Sequence, residues 1–403
     1  MADGALTPPL VAPRRRTSAA VRVAVIYLAS RVVTTLFMLG AAALSTAASR
    51  HGLSPSLGDL FLGWDAQWYW LIAEQGYPTH LPVSDTGQVE QNAWAFMPVY
   101  SVLAKIVGFG FWPIGALLVT LASGYLACLV FYRLMRERLD RSAASWAVLF
   151  LAAGPMAAMF QVGYAESLNL LWLMLALWCV VRRRFWWLYL LVPLMGFTRP
   201  GVLAFSLFLA LYGIWRWMQR RNDPLPLSHI VHIVVLGLWA LLVGFSWQII
   251  AGLVTGDPGA YLATELSWRI AWVGDGPFIP FVAWAQAAEF WFTQWGLGNV
   301  TGYVVLAALV LAFAAALIWL PAVRRLGVEV RLWAAAYAVY LLAVFFPQSS
   351  VFRLLFPLSP LWGAFAVPRS PWWRGGVLVA CLIGQWWWIF TMYGVGNQYW
   401  QVP

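Results

Sequence analysis

Apolar runs of about 20 residues recur from Val23 to the last thirty residues of the chain, and each is long enough to cross a bilayer as a helix. That repetition excludes a soluble domain. The bulk agrees, with 62% hydrophobic and 10% charged residues and a mean hydropathy of +0.74. The expected fold class is an all-α polytopic membrane protein with about eleven transmembrane helices.

Charge sets the expected sidedness. A net charge of +10 would suggest nucleic acid in a soluble protein, but cytoplasmic loops of membrane proteins collect Lys and Arg for topological reasons alone. Residues 1–17 are polar and carry Arg14-Arg15-Arg16, so they read as a disordered cytoplasmic tail; the apolar run that follows is too long for a signal peptide. With that end inside, spans are expected at about 23–47, 112–132, 143–160, 166–181, 185–197, 201–217, 230–251, 300–320, 332–346, 352–367 and 376–394. Residues 48–110 form the first extracytoplasmic loop, with 95–109 interfacial or re-entrant because it is short and carries Lys105. Residues 252–276 are a second outer loop, and 278–295 a second interfacial helix containing Gln286 and Glu289. In this arrangement every cytoplasmic loop is basic.

Subtracting those loops leaves six cations that topology does not explain: Arg31, Arg50, Lys105, Arg199, Arg269 and Arg353. Most acids fall on the opposite, extracytoplasmic side. Among them Asp65 stands in Trp64-Asp65-Ala66-Gln67-Trp68-Tyr69, just past the first span. An ionised carboxylate kept near hydrocarbon is expensive and tends to be functional, and one partly shielded by tryptophans at the water boundary suits a general base. In a helix starting at Trp64, Tyr69 shares the face of Asp65 and Trp64 lies beside Trp68. The plainer alternative is that Asp65 caps the helix.

Arg199, in Phe197-Thr198-Arg199-Pro200-Gly201, stands at an outer turn broken by Pro and Gly, and Arg353 follows Gln348-Ser349-Ser350 at an outer end in the C-terminal half. A guanidinium at that depth can grip phosphate through two donors; snorkelling to lipid headgroups is the competing account. Glu166 opens an inward span with Ser167 and Asn169, where an acid either meets substrate or serves the helix dipole. Arg31, deep in the first span, calls for an internal partner. Cys128, Cys179 and Cys381 lie inside apolar runs and suggest neither disulfide nor metal, and the four His show no ligand spacing on the outer face. No phosphate-cradling glycine loop is present, which argues against a nucleotide-sugar donor. Trp, at 28 copies, exceeds what interfacial belts need and is expected in part to line a lipid or sugar site.

Four segments carry a resemblance. Trp64-Asp65-Ala66-Gln67-Trp68-Tyr69 with Gly76-Tyr77, then Ala95-Phe96-Met97-Pro98-Val99-Tyr100, Tyr164-Ala165-Glu166-Ser167 and Thr198-Arg199-Pro200-Gly201 resemble, in order, the PIG-V family. This is the GPI mannosyltransferase of the second mannose with its bacterial relatives, within the GT-C glycosyltransferases. The resemblance implies one GT-C-like transmembrane domain over 18–403, a polyprenyl-phosphate sugar donor with mannose foremost, inversion at the anomeric carbon, and an acid in the first outer loop acting as base, at the position of Asp65. Where many eukaryotic members have histidines this chain has Trp68-Tyr69 and Phe346-Pro347-Gln348, pointing to a relative in a bacterial plasma membrane that acts on another lipid-linked or surface glycan.

The expected function is thus transfer of a mannosyl or other hexosyl unit to a glycolipid or glycan acceptor at the extracytoplasmic face. Asp65 is the base, Arg199 and Arg353 hold the donor phosphate, and Trp64, Gln67, Trp68, Tyr69, Glu166 and Gln348 contact substrate. No cofactor, metal or nucleic acid is expected. The rival is a flippase for a lipid-linked sugar, which would show internal repeats and polar residues toward the cytoplasm.

Overall fold

The computed structural model describes residues 18–270, 274, 276–398 and 400–403; the expected tail over 1–17, like Asp275, lies outside them. The described chain is helical throughout, with one isolated β-bridge between Val83 and Val89. Among the described residues five helices are long and apolar enough to cross a membrane by length and composition: Ala19–Leu44, Trp112–Arg136, Leu227–Thr255, Asn299–Trp319 and Pro371–Val395. The Trp112–Arg136 helix is the most buried of them, packed on Ala19–Leu44 and on the shorter Glu166–Val181, while Asn299–Trp319 lies at the periphery.

Several expected spans are broken rather than continuous. The run expected at 143–160 ends as a helix at Ala152 and resumes only as a 3-10 turn over Ala157–Phe160, because Gly154-Pro155 interrupts it. The run expected at 352–367 splits into Val351–Leu354, a 3-10 stretch Phe356–Leu361 and Trp362–Ala366, with Pro357 and Pro360 inside the 3-10 stretch. That expected at 185–197 divides into Phe185–Trp187 and Leu188–Gly196. Conversely, the outer loop 252–276 contains a helix, Ala260–Ser267. Hydropathy measures how apolar a segment is, not whether its backbone ladder is unbroken.

Each break frees carbonyls that cannot be left unpaired in an apolar interior, and side chains or a backbone N–H from other segments take them. At the first break Arg31 donates to Ala152 O and Ala157 O, both at 2.5 Å, and Ser167 donates to Met159 O at 2.8 Å. At the second, Trp291 donates to Pro347 O at 2.9 Å, Tyr337 to Leu354 O at 2.7 Å and Trp333 to Pro357 O at 2.9 Å. At a third, between Gly196 and Val202, the Phe197 carbonyl accepts from Val99 N at 3.0 Å. Arg31 thus finds the internal partners its depth demands, and they are backbone carbonyls together with the Gln161 amide oxygen at 3.3 Å.

Ion pairs gather the basic loops at one end of the bundle. Arg182 pairs with Glu137 at 3.5 Å, Arg183 and Arg216 with Asp223, Arg138 with Glu329 at 3.7 Å and Arg369 with Asp140 at 2.8 Å. Five loops distant in sequence are therefore neighbours. The Glu166–Val181 helix has 16 residues, so it carries Glu166 about 24 Å from that end at about 1.5 Å per residue.

Candidate active site

The three breaks and one strained turn each deliver a charged side chain to the same place. Asp65 is the first residue of the helix Asp65–Gln75, preceded by Trp64 at φ 54°, ψ −126°. A non-glycine residue in that region is strained, and here the Trp64 indole is held from behind: it donates to Met392 O at 3.2 Å and carries the Arg50 guanidinium 4.6 Å from its ring centre. No side chain caps this helix, so Asp65 is not acting as its cap; its carboxylate instead pairs with Arg353. Glu166 leaves the first break as the opening residue of Glu166–Val181. Arg199 leaves the third, just before Gly201, whose φ of 130° only glycine adopts without strain. Arg353 sits on the short Val351–Leu354 helix within the second break.

The four charges form one chain. Asp65 pairs with Arg353, Arg353 Nε lies 3.3 Å from Glu166 Oε1, and Arg199 Nη1 donates to the same Glu166 oxygen at 2.6 Å. Their side chains are only 3% to 14% exposed. Two acids and two bases cancel, and Glu166 is the counterion both arginines share. Its second oxygen, Oε2, is buried without a hydrogen-bond partner, and the Tyr164 ring stands 5.4 Å from the Arg353 guanidinium. Buried polar groups are ordinarily satisfied, so unused capacity here fits a place that holds a ligand.

The chain of charges borders a cavity of about 580 Å³, roomy enough for a sugar and a phosphate together. Of the residues singled out from sequence, Asp65, Tyr69, Glu166, Arg199, Arg269, Gln348 and Arg353 line it. Trp64, Gln67 and Trp68 do not. Trp64 is turned back onto Met392 as described, Gln67 is exposed, and Trp68 stacks on Phe96 at 5.8 Å and meets Trp268 edge-on at 6.0 Å, backing two residues that do line the cavity. Sequence reasoning missed Tyr261, Glu265, Trp268 and Tyr340 in the lining. The signal available for Glu265 was its place among the outer acids, but no cation near it in sequence marked it. Burial pushes its carboxyl up to about 7, with the Tyr261 hydroxyl and the Arg199 charge pulling the other way.

Among the described residues no group of three or more His, Cys, Asp or Glu side chains converges as a metal-ligand set. What the cavity offers is the carboxyl groups of Asp65, Glu166 and Glu265 and the guanidiniums of Arg199, Arg269 and Arg353, the last bound to both Asp65 and Glu166, beside aromatic and amide groups. Fold and site together define an integral membrane protein of helices with a charge-lined cavity at the end of the bundle away from its basic loops.

No protein-family model matches the sequence, and no curated protein matches it. Among solved structures the fold is similar to the oligosaccharyltransferase of Archaeoglobus fulgidus in complex with Zn and sulfate, at 13% identity and TM-score 0.47 over 90% of this chain and 53% of that one. It is similar also to ArnT from Cupriavidus metallidurans bound to undecaprenyl phosphate, at 17% identity and TM-score 0.45 over 87% and 62%. A third is the archaeal oligosaccharyltransferase AglB from Archaeoglobus fulgidus in complex with an inhibitory peptide and a dolichol-phosphate, at 13% identity and TM-score 0.43 over 91% and 56%. The chain spans 53% to 62% of the length of these proteins. With overlap this partial, the chemistry of the cavity has to follow from its own residues.

Proposed function

We propose that the chain is a GT-C-like membrane glycosyltransferase that moves a hexosyl unit, mannosyl foremost, from a polyprenyl-phosphate donor to a hydroxyl of a lipid-linked or surface glycan. The observation that carries this is the meeting of Asp65, Arg199 and Arg353 on one cavity. The first motif's likeness to the PIG-V family supports mannose. The positive-inside bias, applied to the joined basic loops, supports an extracytoplasmic position for the cavity.

In this mechanism Asp65 takes the proton of the acceptor hydroxyl as its oxygen attacks the anomeric carbon. The bond from that carbon to the phosphate oxygen breaks with inversion, and polyprenyl phosphate leaves with one more negative charge. Arg199 and Arg353 face that developing charge in a site shielded from water, where such stabilisation is worth most. Arg353 is committed to Asp65 and Glu166. A donor phosphate competes for it, and a carboxylate released from a guanidinium is the stronger base. Donor binding therefore readies the base.

The test is purified protein with polyprenyl-phosphate mannose and a panel of glycan acceptors. D65N keeps the shape and removes the basicity, so transfer should fall by on the order of a thousandfold while donor still binds. Transfer by D65N near the wild-type rate would remove Asp65 from the mechanism, and movement of the lipid-linked sugar across vesicles without transfer would establish the flippase instead.

A further inference from the structure

The transfer step uses only part of the cavity. A separate stretch of lining comes from the helix Ala260–Ser267 and the residue that follows it: Tyr261 and Glu265 are one turn apart on one face, and Trp268 is nearly a turn further on. Tyr340, from the Val328–Val344 helix, lines the cavity too and lies within electrostatic reach of both Glu265 and Arg199. Of the four clustered charges, Arg199 alone acts appreciably on Glu265, so this wall lies on the Arg199 side of the chain.

Its chemistry differs from that of the arginine pair. A carboxyl is the wrong group to face a phosphate, and burial pushes the Glu265 carboxyl up toward its neutral form, which both accepts and donates hydrogen bonds. The Trp268 indole N–H is buried with no partner, and the tyrosines add two hydroxyls on flat apolar rings. Hydroxyl-matching groups set among aromatic faces suit a neutral polyol ring.

We propose that Tyr261, Glu265, Trp268 and Tyr340 form a pyranose-binding subsite on the Arg199 side of the cavity, with Glu265 hydrogen-bonding ring hydroxyls. The assignment rests on the transferase reading above and deepens it by saying where the sugar lies relative to the phosphate. The ring belongs either to the donor or to the acceptor, and the two share this chemistry.

The experiment measures binding of three probes to detergent-solubilised full-length protein: polyprenyl phosphate, polyprenyl-phosphate mannose and octyl mannoside. Wild type should prefer the sugar-bearing phospholipid to the bare one. E265A should lose about tenfold in affinity for one mannose-bearing probe while bare polyprenyl phosphate changes less than twofold, because truncating a buried partner leaves sugar hydroxyls unpaired. Loss on polyprenyl-phosphate mannose assigns the donor ring, and loss on octyl mannoside the acceptor ring. E265Q, which keeps an acceptor and a donor, should lose less than E265A. Y261F and Y340F make the same measurement if E265A does not fold. Unchanged affinity of these variants for both mannose-bearing probes would overturn the subsite. Failure of polyprenyl phosphate to bind wild type, with octyl mannoside still bound in a Glu265-dependent way, would sink the transferase reading and leave the subsite standing.

Discussion

Glu166 is the residue whose removal speaks most directly to the charge arrangement. It accepts from Arg199 at 2.6 Å and lies 3.3 Å from Arg353, at 3% exposure. Glu166→Gln keeps the volume and takes away the shared counterion, so the cluster passes from neutral to one net positive charge. Breaking a buried ion pair from one side costs about 3–5 kcal/mol; Arg353 keeps Asp65 and both arginines have 10% to 13% exposure, so about 3 kcal/mol is the expected loss without ligand. The same imbalance favours an anion. If the extra positive charge tightens polyprenyl phosphate tenfold, saturating ligand should stabilise the variant by about 1.4 kcal/mol more than it stabilises wild type. Thermal unfolding in detergent, with and without polyprenyl phosphate, reads both numbers. Transfer should also drop by on the order of a hundredfold, since Arg199 loses the carboxylate that aims it and Arg353 keeps Asp65 alone. A variant as stable as wild type in the empty state, or one that gains no more than wild type from the ligand, would refute the shared-counterion account.

Asp65→Asn should bind polyprenyl phosphate several-fold more tightly than wild type, because Glu166 is then the one carboxylate contesting Arg353; weaker binding by titration would mean that Asp65 holds Arg353 in place rather than competing for it. Gly115→Ala should destabilise by about 1–3 kcal/mol or more in denaturant unfolding, since a Cβ there would sit 1.8 Å from Ala104 O, whereas Gly237→Ala meets nothing within 4 Å and should be neutral or slightly stabilising. Glu265 supplies a pH signature. Its folded value near 7 lies above the ordinary 4.5, so its contribution to stability is complete below about pH 4.5 and is lost as pH rises through 7. Glu265→Gln removes that dependence and should gain on wild type between pH 5 and pH 8.5, by at most about 3 kcal/mol at about 1.4 kcal/mol per pKa unit; a stability difference flat with pH would contradict it.

The arginines were legible because topology accounts for most basic residues, and what it left over included Arg199 and Arg353. Glu166 was visible as an acid at a helix start, but not its role as a counterion to both. The helix breaks were written in Gly154-Pro155, Pro357 and Pro360, yet a twenty-residue apolar window averages across them. What closes those breaks is contributed by distant residues, as with Trp291 and Pro347 or Tyr337 and Leu354, and no local pattern announces such pairs. Trp64 was legible as important for its neighbourhood and misleading in its direction, because a positive φ turned it away from the cavity that Asp65 faces. Glu265 went unremarked among the outer acids, since its burial and its proximity to Arg199 exist only once the chain has folded.

Arg31 enters the first helix 121 residues before Ala152 and 126 before Ala157, the two peptide oxygens that neutralise its need for partners. At about 5–20 residues synthesised per second, that helix waits on the order of ten seconds in lipid with a guanidinium whose insertion at mid-helix is unfavourable by about 2.5–3.5 kcal/mol. The later segment is equally incomplete on its own, with bare oxygens where its ladder stops. The charge on the first span and the bare oxygens of the later segment are thus each other's remedy, and neither is satisfied until both are in the membrane.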